Sequence, residues 1–291
     1  MIEFHADDYG MFPAAARRII HCINEGSLNG ISLMPNGLYL DDCMRLLKEE
    51  CTKEVRLAIH FNIMTEKPVG DPADIPDLTD DNGCFNMTYG KLIKANYIPW
   101  IRGKYKKQIK HELGLQLDRC MPYFSRQGSI RIDSHRHFHM VPFVFDAIAE
   151  LIEERGLEVS YIRIIHEQPK FYRGIAKFEF FKPVNVIKVM LLNAFSASDR
   201  RRHKELCERV QADFASILFS GHMTYRNVRL ILKNIENRPS AFRENIELMF
   251  HPGAVLEEED LERINDAEDR AYMSDGLRDK EAEALIRSAL I

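Results

Sequence analysis

The segment Ser129-Ile130-Arg131-Ile132-Asp133-Ser134-His135-Arg136-His137-Phe138-His139 joins a short strand-like run to an acid and three alternating histidines. Polar groups placed just past the end of a strand are where α/β proteins with parallel sheets build their sites, because the connecting loops converge there. The same arrangement recurs in both directions along the chain. An apolar run ends in Asp7-Asp8, another in His60, and another in His251-Pro252. Four separate strands thus deliver ionisable groups to one edge, which packing alone does not explain.

Around these points the chain alternates between two hydrophobic periods. Strands are expected at Met1–His5, Gly30–Met34, Val55–His60, Ser129–Asp133, Glu158–Ile165, Phe214–Phe219 and Asn245–Phe250. Helices are expected at Pro13–Glu25, Tyr39–Glu50, Lys104–Phe124, Val141–Arg155, Thr224–Asn237 and Asp279–Leu290, the last packed on the outside. Strands separated by helices imply parallel β-α units, since a parallel crossover needs about a dozen residues or more. A closed barrel and an open doubly wound sheet both satisfy this α/β pattern. Two regions break it. Lys67–Trp100 carries Pro68, Pro72, Pro76 and Pro99 and reads as a long loop, and Lys170–Lys204 reads as an irregular insertion with a helix near Val184–Phe195.

The 291 residues, 45% of them hydrophobic, suffice for a substantial core. With 40 basic and 44 acidic residues the net charge is -4, which argues against nucleic acid or an anionic membrane as partner. The N-terminus has no basic leader or apolar signal run, and no stretch approaches the roughly 20 apolar residues that span a bilayer. The six cysteines form no Cys-x-x-Cys pair, so reduced thiols and a cytoplasmic location are expected.

Residues two apart on an extended chain point the same way. Asp133, His135, His137 and His139 would therefore share one face if the chain stays extended. Neutral imidazoles suit divalent ions, and their second nitrogens need orienting partners. Adjacent Asp7 and Asp8 leave charge unsatisfied unless a cation or a set of donors meets them; the competing role is an N-cap for the helix near Pro13. Asp8, His60 and His135 together would make a site of one carboxylate and two histidines with open positions. Such a site suits a hydrolytic metal. Arg163 could face this site or form a structural ion pair. Tyr97, Trp100 and Tyr105 could stack on the apolar face of a ligand or pack the insertion.

These motifs resemble those of the YdjC-like (chitooligosaccharide deacetylase) family. His5-Ala6-Asp7-Asp8-Tyr9-Gly10 is similar to its N-terminal Asn-Ala-Asp-Asp-Phe-Gly signature, with His5 in place of Asn. Gly30-Ile31-Ser32, Met34-Pro35-Asn36-Gly37, Ala58-Ile59-His60-Phe61, Asp133 to Pro142 and Met249-Phe250-His251-Pro252-Gly253 follow in the family's order. Met11 to Ala16 lacks the usual polar opening of the first helix.

The resemblance implies a single domain over 1–291 with a TIM-barrel-like (β/α) fold of about seven parallel strands and insertions near 64–103 and 167–204. It implies hydrolysis of an acetamide on a chito-oligosaccharide or related small carbohydrate. It further implies Asp8, His60 and His135 as ligands of one divalent ion (Mg²⁺ or Zn²⁺, with Mn²⁺ a third choice). Asp7 is implied as general base and His251 as the acid for the departing amine, with His137 and His139 orienting ligands or facing substrate; His5, Asp133 and Arg163 are expected beside them from their own positions in the sequence. The rivals are a phosphoesterase or amidohydrolase on the same site, and a catalytically silent sugar-binding barrel. For assembly, a symmetric homodimer is the commonest default.

Overall fold

The computed structural model describes residues 2–125, 127–179, 181–210, 212–237, 245–254 and 256–289. Strands and helices alternate: β1 (Ile2–Tyr9), α1 (Pro13–Asn24), β2 (Gly30–Leu33), α2 (Leu40–Glu50), β3 (Arg56–Phe61), α3 (Tyr89–Tyr97) and α4 (Pro99–Phe124). Then come β4 (Ile130–Ser134), α5 (Pro142–Glu154), β5 (Val159–Ile162), α6 (Pro183–Arg202), α7 (Lys204–Arg209), β6 (Asp213–Ala215), α8 (Tyr225–Glu236) and β7 (Ile246–Phe250). The C-terminal segment adds α9 (Glu258–Leu261), α10 (Ala267–Met273) and α11 (Leu277–Ser288). No helix among the described residues is long and apolar enough to cross a membrane.

All seven strands join one parallel sheet in the order β5-β4-β3-β2-β1-β7-β6. The sheet curls into a half-barrel whose edges are β5 and β6. The barrel-like alternative of the two open at the sequence is thus the one adopted, with one seam left unpaired. Helices cover the outer surface. The i, i+3, i+4, i+7 stripe Val228, Ile231, Leu232 and Ile235 is the buried face of α8, and Ala15, Ala16, Ile19, Ile20 and Ile23 form that of α1.

Several expected boundaries shift. The sixth strand stops at Ala215, and a short 3₁₀ turn over Ile217–Phe219 replaces its second half. Lys67–Trp100 is not wholly loop: the Thr88 hydroxyl caps α3 by accepting from the Lys91 N–H at 3.2 Å, and Pro99 opens α4 at a position where its missing N–H costs nothing. The helix in the second insertion runs to Arg202 rather than stopping near Phe195. Met1 and Leu290 lie outside the described residues.

The side of the sheet facing the barrel interior is polar. Alternation on β1 turns Glu3, His5 and Asp7 the same way, and their partners come from Ser32, Asp133 and Glu247 on β2, β4 and β7 and from Arg163 just after β5. Gly30 makes room for this: a Cβ there would lie 2.6 Å from both Glu3 Oε1 and His5 Nδ1. The apolar core lies between sheet and helices, where Ile31, Ile59 and Ile132 meet Ile19, Leu47, Leu113 and Ile148.

Side chains close the open seam. Gln168, beyond β5, donates to Asp213 Oδ1 on β6 at 2.9 Å. The buried Glu167 carboxylate accepts the backbone N–H groups of Ser216, Ile217 and Leu218, the turn leaving β6. Leaving such donors buried and unpaired costs about 1–3 kcal/mol each. Glu167→Ala should therefore lower stability by about 2–4 kcal/mol in urea denaturation, whereas a change under about 0.5 kcal/mol would mean water replaces the carboxylate without loss.

Candidate active site

Two successive aspartates reach the same pocket because β1 is bulged. Ala6 pairs with Ile31 and Tyr9 with Leu33, so β1 carries one residue more than β2 over this interval. Asp7 keeps the strand's alternation, while Asp8 adopts φ 65, a left-handed conformation that Asp tolerates better than most side chains. Neither aspartate caps α1, whose N-cap position is Phe12 with no side-chain hydrogen bond.

Asp8 Oδ1 lies 2.9 Å from His135 Nδ1 and 3.3 Å from His60 Nε2. The two rings meet edge to face with centroids 5.7 Å apart. Each ring is held from behind. His60 Nδ1 is 2.7 Å from Asp133 Oδ1, and His135 Nε2 is 3.2 Å from Asp269 Oδ2. Asp133 is in turn fixed by the Ser32 hydroxyl and by Arg163 Nη2 at 2.7 Å, and Asp269 by Arg136 Nη2 at 2.8 Å.

This crowd of acids draws positive charge. Burial opposes protonation of His60, but Asp133, Asp7 and Asp8 outweigh it and push its pKa up to about 9. Burial is likewise outweighed at His135, where Asp269 and Asp8 push the pKa up to about 10. Asp8 is held well below the carboxylate range, burial being overcome by His135 and then His60. A divalent ion would serve in place of those protons. One carboxylate and two imidazoles, each ring oriented by an outer carboxylate, are a donor set that could hold such an ion. Their separations compare with the roughly 3.3 Å edges of a tetrahedron with bonds of about 2.0 Å.

The three histidines do not share one face. The strand ends at Ser134, and His135–Met140 form a 3₁₀ turn in which Arg136 and His137 have φ 53 and 59. The chain therefore coils instead of staying extended, and each ring takes a different place. His135 joins Asp8 and His60. His137 lines the pocket edge-on to Phe214, and burial followed by the Arg163 charge holds it well below the usual imidazole pKa. His139 leaves the pocket: its Nδ1 is 2.6 Å from Ser134 Oγ and its Nε2 2.7 Å from the Arg163 carbonyl, and burial pulls its pKa down to about 4.

Asp7, Asp8, His60, His135, His137 and His251 all line one cavity of about 470 Å³, walled also by Tyr89, Tyr272, Lys188 and Leu191. His251 presents a buried Nδ1 without a hydrogen-bond partner, 4.0 Å from Glu281 Oε2, and its ring meets Tyr272 edge-on at 5.3 Å. Arg163 does not open to the cavity; it is fully buried and binds Asp7 with two parallel bonds of 2.8 Å. His5 sits one layer beneath Asp7, with Nδ1 2.8 Å from Glu3 and Nε2 2.6 Å from Ser32 Oγ. Tyr97 and Trp100 are 74% and 77% exposed and line no part of the cavity, and Tyr105 packs on the core. Lys104, Lys106 and Lys110 pair with Asp77, Glu150 and Glu154 along α4.

Asp269, Tyr272 and Glu247 were not singled out by sequence. Glu247, a lone acid inside the apolar strand Ile246–Phe250, was a readable signal. Asp269 is one acid in the acidic tail, and nothing local marks it.

The fold and site define a parallel α/β half-barrel with a buried aspartate–histidine centre at the C-terminal strand edge. The chain belongs to the YdjC-like family, whose model matches residues 1–290. It is 28% identical over 159 residues to a chitooligosaccharide deacetylase of Salmonella paratyphi B and 27% identical over the same length to that of Salmonella newport. These matches cover 55% of this chain, and the chain spans only 58% of the length of those relatives. In fold it is similar to a candidate cellobiose-phosphate cleavage protein of Enterococcus faecalis V583, with a TM-score of 0.64 at 16% identity over 98% of this chain and 90% of that one.

With pKa values raised above the ordinary 6.5, His60 and His135 stabilise the metal-free fold fully below about pH 6.5. That contribution is lost as pH rises through about 9 and about 10. Thermal unfolding of chelator-treated protein should show a Tm that falls between about pH 7 and pH 10. A flat Tm would mean that the rings are already neutral.

Proposed function

We propose that this chain is a metal-dependent hydrolase that removes the acetyl group from an N-acetylated carbohydrate. The observation that carries the reading is the convergence of Asp8, His60 and His135 on the cavity floor with Asp7 beside them and His251 on the wall. Membership of the YdjC-like family and similarity to chitooligosaccharide deacetylases support an amide as substrate.

Asp8, His60 and His135 would hold one divalent ion, Zn²⁺, Mg²⁺ or Mn²⁺. When bound, the ion polarises the acetamide carbonyl and lowers the pKa of water. Asp7 takes a proton from the attacking water. Both its oxygens are tied to Arg163, so the carboxylate cannot swing away, and each oxygen keeps a lone pair for the proton. His251, which lines the same cavity, gives a proton to the departing amine. Its Nδ1 is not committed to another hydrogen bond. Tyr89, Tyr272 and Leu191 supply the apolar wall against which a sugar ring is held.

A two-metal phosphoesterase finds less support, because Arg163 fills the space between the remaining buried acids. A silent barrel is disfavoured by the presence of Asp7, Asp8, His60, His135 and His251 together at the cavity.

Acetate release from N-acetylated chito-oligosaccharides, with metal-stripped and metal-loaded protein, tests the reading. Asp7→Asn should reduce release by about 10²–10⁴-fold while metal binding persists. Retention of most activity would remove Asp7 as base, and metal-independent release would remove the ion. Asp269→Asn should weaken metal binding by about 10–100-fold through loss of His135 orientation, measured by competition with a chromophoric chelator. Unchanged affinity would show that Asp269 only anchors Arg136.

A further inference from the structure

Among the described residues, three overlapping groups of buried donors lie close enough to share an ion: Asp8, His60 and His135; Asp7, His60 and Asp133; and His5, Asp133 and Glu247. Asp8, His60 and His135 face the cavity. The acids of the other two groups converge instead on the guanidinium of Arg163. Its Nη2 lies 2.8 Å from Asp7 Oδ1, 2.7 Å from Asp133 Oδ2 and 2.6 Å from Glu247 Oε1. Its Nη1 is 2.8 Å from Asp7 Oδ2, and its Nε 2.7 Å from Glu247 Oε1. A planar fork of donors thus gathers three carboxylates from β1, β4 and β7.

Two-metal hydrolases place cations about 3.5–4 Å apart, with acids shared between them. Here the second cation would fall among Asp7, Asp133 and Glu247, where the chain has supplied a positive charge of its own. Donor capacity nevertheless remains at that point. Glu247 is 1% exposed, yet its Oε2 has no hydrogen-bond partner. His5 Nε2, now 2.6 Å from Ser32 Oγ, stands 3.7 Å from Asp133 Oδ2 and 4.0 Å from Asp7 Oδ1.

We propose that Arg163 is a built-in substitute for a second metal ion. It keeps the centre mononuclear, and its removal uncovers a latent divalent-cation site made by Asp7, Asp133 and Glu247, with His5 as the nitrogen donor within reach. The inference rests on the reading that Asp8, His60 and His135 hold an ion. The substitution has a functional sense. A guanidinium cannot be lost to a chelator, so Asp7 stays fixed whether or not the cavity is loaded. Nor does it compete with the cavity ion for water or substrate oxygen, because it is fully buried and its donors are taken by Asp7, Asp133 and Glu247.

The test is Mn²⁺ stoichiometry by equilibrium dialysis, with electron paramagnetic resonance, on wild type, Arg163→Ala and Arg163→Lys. Wild type and Arg163→Lys should each saturate at one ion per chain. Arg163→Ala should saturate at two, with the spectrum of a spin-coupled pair, and its Tm should rise more on Mn²⁺ addition than that of wild type. An Arg163→Ala protein that folds only when Mn²⁺ is present would agree with the proposal. One that fails to fold with or without Mn²⁺ would overturn it, since the ion is meant to take the place of the guanidinium. Two ions in wild type, or one in folded Arg163→Ala, would also overturn it while leaving the proposed hydrolase intact. No ion in wild type would sink both.

Discussion

The buried guanidinium of Arg163 is the interaction on which the rest of the barrel depends. Asp7, Asp133 and Glu247 come from strands that are not all neighbours, and all three are 3% exposed or less. Buried carboxylates without a cation cost several kcal/mol each after relaxation. A cation, here the Arg163 guanidinium, therefore has to stand among these acids for the polar interior to exist. It also reaches from just beyond the edge strand β5 to β1 and β7 on the far side, so the ion pairs tie the half-barrel across the gap that hydrogen bonding leaves open. Even so, one guanidinium does not serve every acid: burial, then Glu3, Asp133 and Asp7, push the Glu247 carboxyl well above its usual range.

Around this anchor the site is assembled from unusual backbone. Asp8, Arg136 and His137 all have positive φ, a conformation that costs of order 1–3 kcal/mol for most side chains. Each sits where a strand gives way to a loop at the cavity. At Asp8 the bulge converts one inward position into two. At Arg136 and His137 it converts a row of histidines into three separate roles. The strain is sustained because the neighbouring groups are fixed: His135 by Asp8 and Asp269, Arg136 by Asp266 and Asp269, and His139 by Ser134 and the Arg163 carbonyl.

The C-terminal segment completes the cavity from outside the sheet. The N-cap Asp266 side chain starts α10 by accepting from the Asp269 N–H, and that helix brings Asp269 and Tyr272 against His135 and His251. Helix α11 packs on α8 and α1, and its Glu281 accepts the backbone N–H groups of Met223 and His251. The acidic tail is thus a wall of the site as well as an outer layer.

The sequence by itself determined the seven strands, their alternation with helices, and the side chains that meet at the C-terminal edge. Those follow from local period and from polar residues interrupting apolar runs, both properties of short segments. It also placed Asp7, Asp8, His60, His135 and His251 at one sheet edge, since a parallel sheet brings all strand ends to the same side, and the structure gathers them at one cavity. Only the tertiary structure decided whether Arg163 faces substrate or an ion pair, that His5 lies beneath the centre, that His139 turns away, and that Asp269 stands behind His135. Those outcomes depend on contacts between residues as far as 156 positions apart and on backbone reversals at Asp8 and Arg136-His137. A bulge or a left-handed pair changes where a side chain points without changing the hydrophobic pattern from which the strand is read.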